Sequence, residues 1–218
     1  MYKRQGLRSV ISGYQSIKLQ ENKIIVAGGQ ENMSRAPHAI FFREDKKLDQ
    51  NNLVDTMIND GLIDSFNNYH MGITAENVAE KYKISRDEQD LFALNSQEKT
   101  QKAIKENRFK NELIKLKIDT DNKNFLFEKD EHPRNNLNLE DLKKLKTVFK
   151  ENGTVTAGNS SGINDGAAAT ILMSREESEL RTIEPLAKVV SWATCGVEPS
   201  LMGLGPICLL YTSPSPRD

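Results

Sequence analysis

The chain has 218 residues, of which 37% are hydrophobic and 28% are charged, enough apolar material for one sizeable core or two modest ones. The formal net charge of −1 gives no basis for nucleic-acid or membrane binding, and no apolar run approaches the roughly 20 residues of a membrane-spanning helix. The two cysteines, Cys195 and Cys208, form neither a disulfide framework nor a metal-binding motif, so we expect a cytoplasmic protein without a metal site.

The first third of the chain alternates helical and extended patterns. Residues 6–20 place apolar side chains mostly on one side and predict a helix, and residues 24–27 predict a buried strand before paired glycines. Residues 54–59 and 72–82 predict two further helices. Residues 34–53 are polar and irregular, which is typical of an ordinary surface loop.

The rest of the chain carries two capping boxes, at Ser85–Glu88 and Ser174–Glu177. In such a box the serine hydroxyl accepts from the backbone N–H three residues on, and the glutamate side chain reaches back. We therefore predict a long helix to about residue 107 and a short helix to about residue 181. The other predicted elements are a half-buried strand at 114–118, a helix at 138–148 capped by Asn138, a buried strand at 167–173 and a strand at 185–194.

The segment at residues 154–169 reads T-V-T-A-G-N-S-S-G-I-N-D-G-A-A-A and spaces three glycines four residues apart. Glycines at Gly158, Gly162 and Gly166 let the backbone turn sharply and let a ligand approach closely. Serine and asparagine side chains between them supply hydrogen-bonding groups. The spacing fits neither a dinucleotide-binding fingerprint nor a P-loop, and a glycine-rich turn before a buried strand remains the alternative.

Three segments resemble motifs of the thiolase family, in the family order. Residues 24–34, I-I-V-A-G-G-Q-E-N-M-S, resemble V-A-G-G-x-E-N-M-S. Residues 68–80, N-Y-H-M-G-I-T-A-E-N-V-A-E, resemble a stretch of the tetrameric short-chain thiolases, the acetyl-CoA acetyltransferases. Residues 154–169 resemble the coenzyme A-binding loop. The resemblance extends from about residue 6 to residue 206.

The resemblance implies an α/β fold of two related halves, layered helix–sheet–helix–sheet–helix and present here in part. It divides the chain into part of the first half at 6–35 and 157–182, an inserted loop domain at 36–156, and the start of the second half at 183–206. Residues 1–5 and 207–218 depart from the family pattern. We interpret both as sequencing or assembly scars, with genuine divergent termini as the alternative, and we expect the isolated chain to fold incompletely or dissolve poorly.

Family chemistry is a Claisen condensation of two acyl-CoA molecules or its thiolytic reverse. A cysteine thiolate takes the acyl group, a histidine activates it and a second cysteine moves the proton. In the nucleophile motif C-G-S-G-L-R, Gly6–Arg8 match the last three positions and Lys3 stands where the cysteine belongs. The other catalytic motifs follow Pro206 in the family order. No catalytic residue is therefore assigned, Cys195 is interpreted as a small buried hydrophobe, and the chain as written is expected to be inactive.

The resemblance assigns most of a coenzyme A cradle. His70 and Met71 would face the acyl and pantetheine region, although a lone histidine is more often structural. Ser161 would hydrogen-bond an amide of the pantetheine arm, while Ser160 replaces an alanine common in the family. Phe149 would pack on the ligand, with a core aromatic as the alternative. The full set is Leu62, His70, Met71, Arg134, Phe149, Ala157, Ser160 and Ser161, of which Arg134 and Ala157 would contact the nucleotide and pantetheine.

The leading hypothesis is a fragment of an acetyl-CoA C-acetyltransferase that uses coenzyme A thioesters as substrates and holds no covalently bound cofactor. The resemblance implies a homotetramer in the full-length form, with neither nucleic acid nor membrane as partner, and a tetramer-forming loop is the second interpretation of residues 34–53. One alternative is a 3-ketoacyl-CoA thiolase of broader chain length, against which His70 before Met71 speaks. Others are a non-catalytic acyl-CoA-binding protein and a purely structural subunit.

Overall fold

The computed structural model describes residues 5–40, 53–120 and 123–212, which fall into two compact units. The first unit comprises Met1–Thr74 and Ile163–Asp218, and the second comprises Ala75–Gly162. Helix α2, Met71–Tyr82, contains the boundary between them. The domain boundaries expected at residues 36 and 156 stay a prediction.

The first unit contains a long antiparallel strand pair covered by a helix. Its elements are helix α1 (Gln5–Lys18), strands β1 (Ile24–Asn32), β2 (His38–Ala39), β3 (Val54–Asp55), β4 (Ile63–Asp64), β5 (Tyr69–His70) and β8 (Asp165–Met173), and helices α5 (Arg175–Leu180) and α6 (Gly205–Thr212). Short 3₁₀ turns lie at Met33–Arg35 and Pro199–Leu204, and a π-helical turn lies at Met57–Leu62. β1 pairs with β8 over nine residue pairs. The shorter pairs are β2 with β3 and β4 with β5.

Helix α1 approaches β1 and β8 closely. A Cβ added at Gly13 would lie 2.9 Å from Leu172 Cδ1, so the helix backbone rests almost on the β8 side chains. The Ser9 hydroxyl donates to the Gly28 carbonyl oxygen at 2.8 Å and to the Gly6 carbonyl oxygen at 2.6 Å. These contacts fix the first turns of α1 against the glycine pair of β1.

Several predicted elements of the first unit are wrong in detail. The strands expected to be buried are largely exposed, since Val26 is 71% and Ile171 66% accessible. In the described residues this sheet consists only of β1 and β8. Its face opposite α1 is accessible to solvent. The helix expected at 54–59 is instead strand β3 followed by the π-helical turn. Residues 185–194 form no strand, because no described strand pairs with them.

The second unit begins in α2 and continues through helix α3 (Arg86–Lys105), the hairpin of β6 (Leu116–Thr120) and β7 (Lys123–Phe127), and helix α4 (Leu139–Lys143). The capping box of α3 is confirmed: Ser85 N–H donates to Glu88 Oε2 at 2.7 Å, and Glu88 N–H donates to Ser85 Oγ at 3.2 Å. The first of these bonds, followed by one from the Ser85 hydroxyl, lowers the pKa of Glu88. Asn138 caps α4, which is shorter than expected.

The interior of the described structure is small and more polar than apolar. Only four hydrophobic residues are buried in it, against seven polar or charged ones. The accessible surface of the chain is 17894 Å², whereas a folded monomer of 24.6 kDa exposes about 10,000 Å² and two separate globules of half that mass about 12,000 Å². Much apolar side-chain area therefore stays accessible. Among the described helices, none has the length and apolar character needed to cross a bilayer.

Candidate functional site

A buried polar cluster of the second unit surrounds residues 154–161, called here the 154–161 loop. Glu76, on α2, is buried at 3% exposure and lies against the start of this loop. Its Oε1 accepts from the Val155 N–H at 2.8 Å and from the Thr154 N–H at 2.9 Å. Its Oε2 accepts from the Thr154 hydroxyl at 2.8 Å. A Cβ at Gly153 would overlap the carboxylate, so this close approach requires glycine there.

A second buried carboxylate, Asp90 on α3, reaches the middle of the same loop. Asp90 is fully buried, and its two oxygens accept from Arg86 Nε at 2.6 Å and from Asn159 Nδ2 at 3.0 Å. Arg86 also donates to the carbonyl oxygens of Leu142 at 2.6 Å and Leu145 at 3.1 Å. Charge-assisted bonds of this kind are about twice as strong as neutral ones, so the network ties α3, the end of α4 and the loop together.

Inside the 154–161 loop, hydrogen bonds close a compact turn. Asn159 Oδ1 accepts from the Thr156 N–H at 2.8 Å, and Asn159 Nδ2 donates to the Thr154 carbonyl oxygen at 3.0 Å. The Ser160 hydroxyl donates to the Thr156 carbonyl oxygen at 2.7 Å. Gly158 packs on Leu142, since an added Cβ would lie 2.5 Å from Leu142 Cδ2. The loop is therefore held by bonds at its start and at Asn159, and by the packing of Gly158.

Five of the residues predicted to bind coenzyme A lie in the second unit. Ala157 and Ser161 are exposed on the 154–161 loop, and Ser160 is half-buried with its hydroxyl turned to the loop backbone. Phe149 is half-buried and lines a cavity of about 480 Å³ formed by residues 146–152. The exposed Arg134 is held through its backbone, whose N–H donates to Gln97 Oε1 at 3.0 Å.

The other three predicted binding residues lie in the first unit, all half-buried. Leu62 ends the π-helical turn, His70 stands in β5 opposite Ile63, and Met71 begins α2. Leu62 directly precedes Ile63, the residue that faces His70 in the β4–β5 register. His70 Nδ1 accepts from the Gly72 N–H at 3.0 Å, which orients the imidazole and makes Nδ1 the unprotonated nitrogen.

Two motifs of the first unit also meet in the structure. The Asp165 carboxylate accepts from the Ser34 hydroxyl and, at 3.0 Å, from the Ser34 N–H. These bonds, the hydroxyl first, lower the pKa of Asp165. They clamp the chain just beyond the end of β1 to the start of β8, so the E-N-M-S and N-D-G segments are neighbours.

The structure bears differently on the expectations for the nucleophile position, for Cys195 and for a metal site. Lys3, at the predicted position of the nucleophile, lies outside the described residues. Cys195 is exposed, so its interpretation as a buried hydrophobe is wrong; it follows the irregular stretch 185–194, which buries none of its own large apolar residues. Across residues 5–40, 53–120 and 123–212, no three His, Cys, Asp or Glu side chains gather as they would around a metal ion.

Sequence reasoning missed the two carboxylates that organise the 154–161 loop. Glu76 and Asp90 contact it across 78 and 69 residues of chain, a separation at which no local pattern reveals a pairing. A signal did exist for Glu76, since it lies inside the T-A-E-N motif used for the family resemblance. Asp90 follows the capping box of α3. Nothing in the local sequence indicates that it lies on the side of the helix that faces α4.

Comparison with known sequences gives a consistent result. A model described as the thiolase N-terminal domain matches residues 4–176. The acetyl-CoA acetyltransferase of Rhizobium meliloti is 50% identical over 202 residues, 93% of this chain and 51% of that protein. The cytosolic acetyl-CoA acetyltransferase of Rattus norvegicus is 48% identical over 204 residues, again 93% of this chain and 51% of that protein. The chain spans about half the length of the curated relatives it matches.

Comparison with solved structures agrees on the fold. The crystal structure of a Bacillus anthracis acetyl-CoA acetyltransferase matches with a TM-score of 0.90 and 37% identity, over 95% of this chain and 53% of that one. Human mitochondrial 3-ketoacyl-CoA thiolase in complex with CoA matches with a TM-score of 0.86 and 36% identity, over 94% of this chain and 51% of that one. These matches confirm the predicted α/β, thiolase-like fold.

Proposed function

Because the chain belongs to the thiolase family, we propose that it is a fragment of an acetyl-CoA acetyltransferase. Such an enzyme condenses two acetyl-CoA molecules or cleaves acetoacetyl-CoA with coenzyme A. Relatives of that name are 48% and 50% identical to this chain over 93% of its length, which supports the assignment. The observation that carries coenzyme A binding is the 154–161 loop, which two buried carboxylates hold with its exposed face ready for a ligand.

The proposed ligand contacts follow from the chemistry of the exposed groups. The Ser161 hydroxyl can donate to or accept from an amide of the pantetheine arm, and the small Ala157 lets the arm lie close to the loop backbone. Phe149 offers a ring beside a cavity that Lys146 and Lys150 also line, cations that suit the phosphates of coenzyme A, although Lys150 pairs with Glu80 at 3.0 Å. His70 and Met71 would bound the acyl group together with Leu62, which precedes the Ile63 that faces His70 in the β4–β5 hairpin.

We propose that the chain as written binds coenzyme A without catalysing the reaction. Lys3 replaces the cysteine that the family motif requires, and a lysine cannot form the acyl thioester. Spectrophotometric assay of acetoacetyl-CoA thiolysis should give no signal above the uncatalysed rate. Measurable turnover that scales with protein concentration would contradict this part of the proposal.

The direct test is coenzyme A binding by the purified chain, measured by isothermal titration calorimetry. Ser161→Ala and Phe149→Ala should each weaken binding, by about 1 kcal/mol for the lost hydrogen bond and more for the ring. Ser96→Ala is the matched control, because Ser96 is an exposed hydroxyl on α3 in the same unit. Absence of binding by the unaltered chain would reject the proposed function, and equal loss in the control would reject the assigned contacts.

Acyl preference separates the proposal from its nearest alternative, a 3-ketoacyl-CoA thiolase of broader chain length. That alternative is favoured by the match to human mitochondrial 3-ketoacyl-CoA thiolase at a TM-score of 0.86. Competition by acetyl-CoA that exceeds competition by medium-chain acyl-CoA would support the acetyltransferase. The reverse order would support the alternative.

We also propose a cytoplasmic location and a homotetramer for the full-length protein. A cytosolic relative supports the location, and the tetrameric short-chain type that residues 68–80 resemble supports the assembly. Light scattering on the full-length protein should give four times the protomer mass. A monomer or dimer would refute the assembly.

A further inference from the structure

The Glu76 carboxylate receives hydrogen bonds from the loop that it contacts. Among the ion pairs of the described residues, none involves Glu76, so its charge is met by the backbone N–H groups of Thr154 and Val155 and by the Thr154 hydroxyl. A buried carboxylate is strongly unfavourable without such donors, and the donors would be left without an acceptor if the carboxylate were lost. The carboxylate and the start of the loop therefore stabilise each other.

Asp90 acts at the middle of the loop through one side chain. It holds Asn159 Nδ2, and the same amide group closes the turn by bonding the backbone of Thr154 and Thr156. Arg86 balances the charge of Asp90 and is itself held by two carbonyl oxygens at the end of α4. The amide of Asn159 is thus fixed by groups outside the loop.

The two anchor points lie within three residues of the proposed binding residues on this loop. Glu76 fixes residues 154 and 155, Asp90 fixes residue 159, and Ala157, Ser160 and Ser161 lie between or directly after these positions. A loop with a glycine at its centre samples many conformations when it is not held. Holding it before the ligand arrives removes that ordering step from binding and raises affinity.

We propose that Glu76 and Asp90 are positioning residues that set the conformation of the 154–161 loop and thereby the affinity for coenzyme A. This inference rests on the proposed function, because it requires that the loop bind the coenzyme. Both carboxylates are buried, and their described bonds go to the protein. Each acts through the residues it holds, Glu76 through Thr154 and Asp90 through Asn159.

The test compares charge-neutral variants by calorimetry and by backbone amide NMR. Glu76→Gln and Asp90→Asn should raise the Kd for coenzyme A at least about tenfold and shift the amide resonances of Gly158, Ser160 and Ser161 in the free protein. Glu98→Gln is the matched control, since Glu98 is an exposed carboxylate on α3 and should change neither readout.

Thr154→Val is the milder variant: it keeps the volume and the backbone bond to Glu76, but it removes the hydroxyl that donates to Glu76 at 2.8 Å and accepts from Gln89 Nε2 at 2.9 Å. It should fold even where Glu76→Gln does not, and it should raise Kd about three- to tenfold. A merely structural role would lower the melting temperature while the folded fraction kept its Kd, and that outcome overturns the proposal. Unchanged loop resonances in all three variants overturn it as well. Failure of the unaltered chain to bind coenzyme A defeats the proposed function and this inference together, whereas binding that the variants share defeats this inference alone.

Discussion

Replacing Gly28 with alanine is expected to break the pairing of β1 with β8. A Cβ at residue 28 would lie 2.9 Å from the Ala169 Cα and closer still to the Ala168 carbonyl oxygen. Both atoms belong to the backbone of the facing strand, so no side-chain rotation relieves the overlap. Comfortable carbon–oxygen contact needs about 3.3 Å or more, and the strands must therefore separate. Inserting a methylene into well-packed structure costs about 1–3 kcal/mol, and we expect the upper part of that range.

Amide hydrogen exchange measures stability residue by residue. It therefore reports the loss in β1 and β8 separately from the stability of the second unit. A loss of 1–3 kcal/mol reduces amide protection in β1 and β8 by roughly five- to 150-fold. Gly166→Ala is the control in the same sheet, because residue 166 faces Glu31 in the register and an added Cβ there meets nothing within 4 Å. Protection that is equal in the Gly28→Ala variant and the unaltered chain, or that falls equally in both variants, would refute the reasoning.

Three further outcomes are expected. The pKa of Glu88 lies below its ordinary value of 4.5, so its capping contribution is present above about pH 4.5 and lost as the pH falls through the folded pKa; melting curves of the unaltered chain and Glu88→Gln should converge in acid, and a constant difference would contradict this. Gly158→Ala should lower the free energy of unfolding by about 1–3 kcal/mol, because its Cβ would lie 2.5 Å from Leu142 Cδ2 and 2.6 Å from Leu145 Cδ1. Urea denaturation measures this, and an unchanged midpoint would count against it. The folded chain should bind a hydrophobic dye such as ANS and increase its fluorescence, because large apolar side chains are exposed. Unchanged dye fluorescence would contradict this.

Features decided within a few residues could be predicted from the sequence. Ser85 and Asn138 were recognisable caps because their side chains bond backbone N–H groups only three residues away. The beginnings of α3 and α4 followed from them. The end of α4 did not, because nothing in the local sequence marks the stop after Lys143. Family motifs supplied the fold, since residues 24–34, 68–80 and 154–169 carry a resemblance that the comparisons bear out.

Features decided across the chain could not be predicted. The apolar pattern of residues 185–194 satisfies a strand, yet a strand also needs a hydrogen-bonded neighbour, and the described structure offers none there. Val26 and Ile171 face each other in the paired strands β1 and β8 and yet lie exposed, because burial needs a layer packed on that face of the sheet, which the strand pattern does not specify. Glu76 and Asp90 were passed over because their partners lie about 70 to 80 residues away. The groups that hold the 154–161 loop were thus missed, and the ligand contacts assigned to its residues stay a prediction.

The large accessible surface of this chain also governs how its stability responds to temperature. Unfolding raises the heat capacity mainly through newly exposed apolar area, by about 12–15 cal/mol/K per residue in ordinary domains. Here much of that area already contacts water, with 17894 Å² accessible before unfolding begins. Calorimetry should therefore find a heat-capacity change well below this range. The stability curve is then nearly flat, so cooling the sample gains little and cold denaturation recedes to lower temperatures.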